Sequence, residues 1–262
     1  MDQRLERLLD FFRQRGPLAV AYSGGVDSSL ALWAAAKALG ERALGVTVRS
    51  EFICGAERER ADRIAACLAQ VAGARVAVRD ISVLTHARLR QNPEDRCYMC
   101  KQLVLSEVRA AARQILGPDA KLAEGTNADD DPARPGLRAV AEAGAVSPLA
   151  ACGIDKRGVR ELARLVGLPN AEDPSNSCLA TRVPTGAELT FARLTAIEGL
   201  ERAARELGLV DLRARLVPAE NGDAVRLLVR PAQTLLAQSL ARQLDERAHF
   251  IGFTHFSLGE RT

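Results

Sequence analysis

Large rings are scarce in this chain: seven Phe, two Tyr and one Trp among 262 residues, or 4%. A core with so few aromatics must be filled by Ala, Leu and Val, which suits an Ala-rich helical coat around a sheet. No stretch approaches the roughly 18 consecutive apolar residues of a membrane span. Residues 1–15 are charged throughout and lack the apolar core of a signal peptide, so a cytoplasmic protein is expected, with no membrane partner. Neither sign of charge dominates: 36 Lys and Arg face 33 Asp and Glu, a net +3. So small an excess gives no electrostatic reason to expect nucleic acid. A hydrophobic share of 47% excludes disordered and collagen-like chains. Histidine is limited to His86, His249 and His255, at no metal-ligand spacing, and a structural role is the simpler reading for each.

What is present is a repeating order of strands and helices. Leu5, Leu8, Leu9 and Phe12 recur at helical spacing over 1–15, and Pro17 stops that helix. Strands are expected at 18–22, 43–48, 75–78 and 121–123, and helices at 26–39, 56–72, 101–116 and 155–166. Strands alternating with helices of this length imply an α/β fold, a doubly wound parallel sheet, over residues 1–183. Residues 169–186 carry Pro169, Pro174 and Pro184 and read as a loop. Beyond it the texture changes. A helix is expected at 189–207, two strands at 212–217 and 224–229 joined around Asn221-Gly222, a helix at 234–244 and a last strand at 250–256. That is a small C-terminal α+β domain over 184–262.

Ser23-Gly24-Gly25-Val26-Asp27-Ser28-Ser29 lies between the first strand and the helix after it, where such a sheet binds ligands. The glycines allow close approach of backbone to an anion, and the helix N-terminus offers N–H groups and partial positive charge. The three serines add hydroxyls. Asp27 would repel a bare phosphate, so a magnesium ion between them is expected. The loop lacks the Gly-Lys-Ser/Thr end of a Walker A motif and the third glycine of a dinucleotide fingerprint. It resembles instead the PP-loop of the ATP pyrophosphatases, with their HUP-type fold. That resemblance implies cleavage of ATP between the α and β phosphates, transfer of AMP to a carbonyl or carboxylate oxygen, and displacement of AMP by nitrogen or sulfur. A second segment, Glu124-Gly125-Thr126-Asn127-Ala128-Asp129-Asp130, follows a short strand and is placed to join the ATP site through Gly125, Thr126, Asn127 and Asp130. Arg134 could fork onto a phosphate. The plain alternative for this segment is a solvated acidic turn.

Six cysteines in a cytoplasmic chain suggest thiol chemistry or metal ligation before disulfides. Cys97-Tyr98-Met99-Cys100 is a CxxC, which by itself fits a redox pair, half a zinc site or part of an iron–sulfur site. With no second CxxC, a four-cysteine zinc ribbon is not expected. Cys178 lies in Ser177-Cys178-Leu179-Ala180-Thr181-Arg182, where Arg182 could favour the thiolate. Cys67 reads as helix packing. Cys54 and Cys152 lie near loops and carry no motif, and Trp33 and the leucine stripes read as core.

SGGVDSS, NPEDRCYMCK, EGTNADD, SPLAACGIDKRGVRELARLVGLP and DPSNSCLATRVPTG occur in that order. Together they resemble the LarE family, sulfur transferases of nickel-pincer nucleotide cofactor synthesis, over about residues 5–230. The resemblance implies a PP-loop domain followed by a smaller one, a hexamer, and magnesium-ATP as co-substrate. It implies adenylation of pyridinium-3,5-biscarboxylic acid mononucleotide and replacement of AMP by sulfur from sulfide or another donor. Residues 23–29 would hold the phosphates, Asp27 the magnesium, and the Cys178 thiolate would deliver sulfur. Some members sacrifice that cysteine; others hold a 4Fe-4S cluster on it and a CxxC, the pattern that Cys97, Cys100 and Cys178 match. Arg96, Lys101, Arg134 and Arg182 are candidates for the substrate's phosphate and carboxylates, as are Glu201, Arg213 and Arg215 in the C-terminal part.

Rival readings share the nucleotide loop. A tRNA thiouridine synthetase would need a polyanion surface and usually further zinc or RNA modules. An amidotransferase-type synthetase would not need the three cysteines. A non-catalytic nucleotide-binding redox sensor would release no pyrophosphate.

Overall fold

Short apolar runs that form strands alternate along the chain with helices whose Ala, Leu and Val face inward. In the computed structural model, which describes residues 2–174 and 177–261, the elements begin α1 (Gln3–Arg13), β1 (Leu18–Ala21), α2 (Val26–Leu39), β2 (Ala43–Arg49), α3 (Gly55–Ala72), β3 (Val76–Asp80). There follow α4 (Ala87–Arg90), α5 (Arg96–Leu116), β4 (Lys121–Ala123), α6 (Pro135–Glu142), α7 (Pro148–Ala151) and α8 (Lys156–Leu165). The last are α9 (Phe191–Glu206), β5 (Arg213–Val217), β6 (Ala224–Val229), α10 (Thr234–Ser239), α11 (Ala241–Ile251) and β7 (His255–Glu260). The chain divides into two units. One comprises residues 2–50, 55–81 and 95–174; the other takes 177–261 together with 51–54 and 82–94.

The first unit holds a four-stranded, all-parallel sheet in the order β3-β2-β1-β4. Val20 of β1 stands opposite Gly45 of β2 and Ala123 of β4. Alternation along β1 sends Leu18 and Val20 to one face and Ala19 to the other. The Leu18 face packs on α1, α2, α3 and α8 through Leu8, Phe12, Leu30, Leu68 and Leu162. The opposite face carries Leu44, Val46 and Val48 of β2 against Val108, Ala111 and Ala112 of α5. Helices on both faces make this the doubly wound α/β arrangement expected from the sequence. Gly45 allows α2 to lie close to the sheet: a Cβ there would stand 2.6 Å from Leu32 Cδ2. The strand order reverses between β1 and β4, and the crevice at their carboxyl ends is where such sheets take ligands.

The second unit holds a three-stranded sheet, β5-β6-β7. β5 and β6 are antiparallel around the turn at 218–223 that contains Asn221-Gly222, while β7 lies parallel to β6. α9 packs on β5 and α11, and α11 on β7, burying Leu194, Ile197, Leu200, Leu227 and Leu244. Among the described residues no helix is long and apolar enough to cross a membrane.

Three expected elements differ. The helix expected at 234–244 is two helices that part at Leu240. The strand expected at 250–256 begins only at His255, because α11 continues through Phe250 and Ile251 until Gly252 caps it with φ +115°. The helix expected from 101 starts at Arg96, so the CxxC lies in its first turns rather than ahead of it.

Candidate active site

The loop after β1 is shaped by its own hydroxyls. Ser28 Oγ donates to the Gly25 carbonyl at 3.0 Å and accepts from Ser23 N at 3.2 Å. Ser23 Oγ lies 3.1 Å from Ser28 Oγ. Gly24 has φ +78°, and a Cβ on it would lie 2.6 Å from the Cβ of Ala61 on α3. Only glycine satisfies both the left-handed backbone and that approach. α2 then starts with Gly25 as N-cap and no side chain capping its first N–H groups. That end of the helix is thus left for an anion. Ser28 is 5% exposed and Ser29 fully buried, so the hydroxyls expected to face phosphate there are turned inward, with Ser23 exposed.

The loop after β4 closes the other side. A Cβ on Gly125 would stand 2.8 Å from Ser28 N, so the bare Gly125 lets the two loops abut. Asn127 Nδ2 donates to Asp27 Oδ1 at 3.0 Å, and Asp130 accepts from Asn127 N at 3.0 Å. Thr126 is held by buried Glu124, which accepts from its backbone N at 3.0 Å and its hydroxyl at 2.8 Å. The same carboxylate accepts from Ser147 Oγ at 2.6 Å and lies 3.9 Å from Lys101 Nζ. Lys101 is therefore an ion-pair partner of this loop. Arg134 is exposed and paired with Asp130 through a short contact.

Sequence reasoning passed over Lys156, whose ammonium pairs with Asp27 Oδ2. Its signal was present: a cation at the first position of a helix stands against the helix dipole and needs another reason to be there. Its backbone N donates to Asp129 at 2.9 Å, fastening α8 to the second loop. Glu124 and Ser147 each open a motif quoted from the sequence, but no site role was expected of either. Asp27 thus carries two ligands from distant parts of the chain, one neutral and one cationic.

The second unit gathers another set of candidates. Arg182 and Glu201 are both 1% exposed at the side chain and pair at 2.9 Å, Nε to Oε1. Glu201 also accepts from Ala214 N at 3.1 Å and Arg205 at 2.9 Å. Arg182 Nη1 donates to Ser177 Oγ at 2.8 Å, the Cys178 carbonyl at 3.0 Å and Thr181 Oγ1 at 3.1 Å. The guanidinium expected to meet substrate instead organises the backbone around Cys178. Arg213 is buried, donates to the Leu212 carbonyl at 3.0 Å, and its pKa is pushed down, first by burial and then by the nearby Arg182 and Arg261 charges. Arg215 lies two residues along β5 and is exposed.

Among the described residues no disulfide is formed. Cys97 is exposed and Cys100 half-buried, one helical turn apart at the start of α5, where Arg96 is half-buried. Cys178 is half-buried and precedes the single turn Leu179–Arg182. Cys54 is buried, and burial pushes the Cys152 thiol up. Among the described residues no three His, Cys, Asp or Glu side chains stand together as a metal site. The cavity of about 360 Å³ lined by Thr190, Arg193, Asp223 and Phe253 has none of these candidates in its lining.

No protein-family model matches the chain. Individual relatives do. An uncharacterized protein of Synechocystis sp. is 34% identical over 216 residues, 82% of this chain and 78% of its own. The pyridinium-3,5-bisthiocarboxylic acid mononucleotide synthase of Lactiplantibacillus plantarum is 32% identical over 199 residues, 76% of this chain and 70% of its own. An uncharacterized protein of Methanocaldococcus jannaschii is 28% identical over 189 residues, 72% and 69% of the two chains. With the nucleotide-type loop on a parallel sheet and the synthase matched at this identity and coverage, the chain belongs to the LarE family.

Proposed function

We propose that this chain is an ATP-dependent sulfur transferase acting on the carboxylates of pyridinium-3,5-biscarboxylic acid mononucleotide. The observation that carries the reading is the uncapped N-terminus of α2 at the reversal of strand order, with Asp27 on its first turn. A substrate carboxylate oxygen attacks the α-phosphorus of ATP, the bond to the β-phosphate breaks, and pyrophosphate leaves. A sulfur nucleophile then attacks the acyl carbon, AMP departs, and a thiocarboxylate remains. The second carboxylate is treated likewise.

In this reading the first N–H groups of α2 and the Gly25 N–H take the phosphates, with Gly125, Thr126 and Asn127 beside them. Asp27 holds magnesium, and Lys156 keeps that carboxylate neutralised and aimed until the metal and nucleotide arrive. Lys156 and Lys101 supply positive charge to the pyrophosphate and the substrate carboxylate. Arg96, Arg134, Arg213 and Arg215 supply the further cations for a substrate that carries one phosphate and two carboxylates. Arg182 and Glu201 act from the buried side, holding Ser177 and Cys178 in place.

Sulfur is delivered at Cys178. By its chemistry the donor set Cys97, Cys100 and Cys178 would suit a 4Fe-4S cluster, with two thiols at i and i+3 of a helix and three ligands leaving one iron open, although no such trio stands together among the described residues. Such a cluster would supply an exchangeable sulfide. The test is an anaerobic iron and acid-labile sulfide assay joined to intact mass after turnover. About four iron per chain with unchanged mass supports the cluster. No iron, with a loss of about 34 Da at Cys178, identifies the cysteine as the sacrificed donor. Sulfur transfer that survives Cys178→Ala would overturn its role in either case. ATP–pyrophosphate exchange absent from the intact enzyme with substrate would overturn the adenylation itself.

A further inference from the structure

Asn170 lies beyond α8, outside the motif that binds nucleotide, and is 1% exposed. Its Nδ2 donates to the Gly24 carbonyl and to Ser29 Oγ, both at 3.0 Å. A carbonyl can only accept, so this contact fixes which end of the amide faces the loop. The other end, Oδ1, is buried without a partner among the described residues. A buried amide oxygen left unpaired is destabilising, so the orientation must be held by what Nδ2 does.

Beneath the loop the Tyr22 hydroxyl donates to the Ala61 carbonyl at 3.0 Å. Ala61 is the residue against which Gly24 is pressed. Gly24 is therefore gripped from α3 on one side and by Asn170 at its carbonyl. In a planar trans peptide the C=O of one residue and the N–H of the next point in opposite directions. Drawing the Gly24 carbonyl into the core turns the Gly25 N–H outward, beside the uncapped end of α2. Among the described residues only a long 3.4 Å contact to Ser23 Oγ engages that N–H.

We propose that Asn170 is a positioning residue for phosphate recognition: its amide fixes the Gly24–Gly25 peptide so that the Gly25 N–H is presented to the nucleotide's phosphates. The inference rests on the nucleotide-binding reading above and names a residue outside the phosphate loop on which it depends. It also separates phosphate affinity from adenosine affinity, since among the described residues the Asn170 side-chain amide hydrogen-bonds to the Gly24 carbonyl and Ser29 Oγ and to nothing else.

The test measures binding of ATP, inorganic pyrophosphate and adenosine to the full chain by calorimetry, for the wild type and for Asn170→Leu and Asn170→Asp. The leucine is close in size and donates nothing. The aspartate sets an oxygen against the Gly24 carbonyl. Both variants are expected to bind ATP and pyrophosphate at least about tenfold more weakly, with adenosine affinity within about twofold of wild type. A drop only in the aspartate variant would mean that added charge, not the lost donor, weakens the phosphates, and would overturn the inference. So would equal losses for ATP and adenosine, or unchanged ATP affinity in a folded leucine variant. Should the leucine variant not fold, Asn170→Ser is read in its place by the same outcomes. A wild type that binds no ATP instead overturns the nucleotide reading on which the inference rests.

Discussion

The loop at 23–29 and the loop at 177–182 both hold candidate functional groups, but they hold them in opposite ways. Around α2 the recognition groups are backbone N–H, shaped by glycines that admit no side chain, and the charged pair Asp27–Lys156 is partly exposed. Around Cys178 the backbone is held by a charged pair that is almost wholly buried, with Glu201 satisfied by two arginines and a backbone N–H. A backbone site is written into a contiguous stretch of sequence. A buried charge network draws on residues 177–182, 201, 205 and 214 and exists only when β5, α9 and the loop have come together. Loss of a charge is expected to cost the fold little at the first site and much more at the second.

The sharpest way to break this contrast is Arg182→Met. It removes one of the two arginines that neutralise buried Glu201, leaving Arg205 and the Ala214 N–H, and chemical denaturation should show a loss of up to about 3–5 kcal/mol. Adding Glu201→Leu should recover much of that loss, because well-packed apolar side chains replace a buried pair at little net cost. Next is Asp27→Asn, which removes one charge of the partly exposed pair at the open site. Stability should change by less than about 1 kcal/mol, while magnesium-dependent ATP cleavage should fall by about a hundredfold or more, read as pyrophosphate release. If Asp27→Asn unfolds the chain, the contrast fails.

Gly24→Ala sharpens the backbone side of the comparison. The left-handed φ alone opposes a Cβ by about 1–2 kcal/mol, and contact with Ala61 adds to it. Melting temperature should fall and ATP affinity with it. The smallest effect lies at the amino terminus, far from either loop. Arg4, hydrogen-bonded to Asp2 at 2.8 Å through its backbone and 2.7 Å through its guanidinium, holds the Asp2 carboxyl at about 2. A carboxyl depressed by folding stabilises the fold above its ordinary value near 3.8 and loses that contribution as pH falls through about 2. The stability gap between wild type and Asp2→Ala should thus be constant above about pH 5 and narrow from there to pH 2, measured by thermal unfolding across that range.

Most of the first sheet was legible because each strand and helix carries its own pattern. Val26 to Leu39 and Lys121 to Ala123 fall at the expected bounds, since glycine or a change of period marks each end. Residues 250–256 misled because Phe250 and Ile251 form an apolar pair that suits a strand, whereas Leu244 and Ala248 continue the buried face of α11 to Gly252. The helix expected from Lys101 in fact starts at Arg96, three residues after Pro93, and so takes in the CxxC. Ser29 carried the pattern of a phosphate donor, but its hydroxyl is buried against the Asn170 amide, which the loop's own sequence does not predict.

The sequence by itself determined the alternating elements, the glycine-bearing loop at a helix N-terminus and the family, because periodicity, backbone freedom and local motif are properties of neighbours along the chain. Tertiary structure alone decided that Lys156 and Asn127 converge on Asp27, that Asn170 holds Gly24, and that Arg182 is buried on Glu201. Those partners lie 100, 129, 146 and 19 residues apart, and a hydrogen bond or ion pair forms only where packing brings its two ends within about 3 Å.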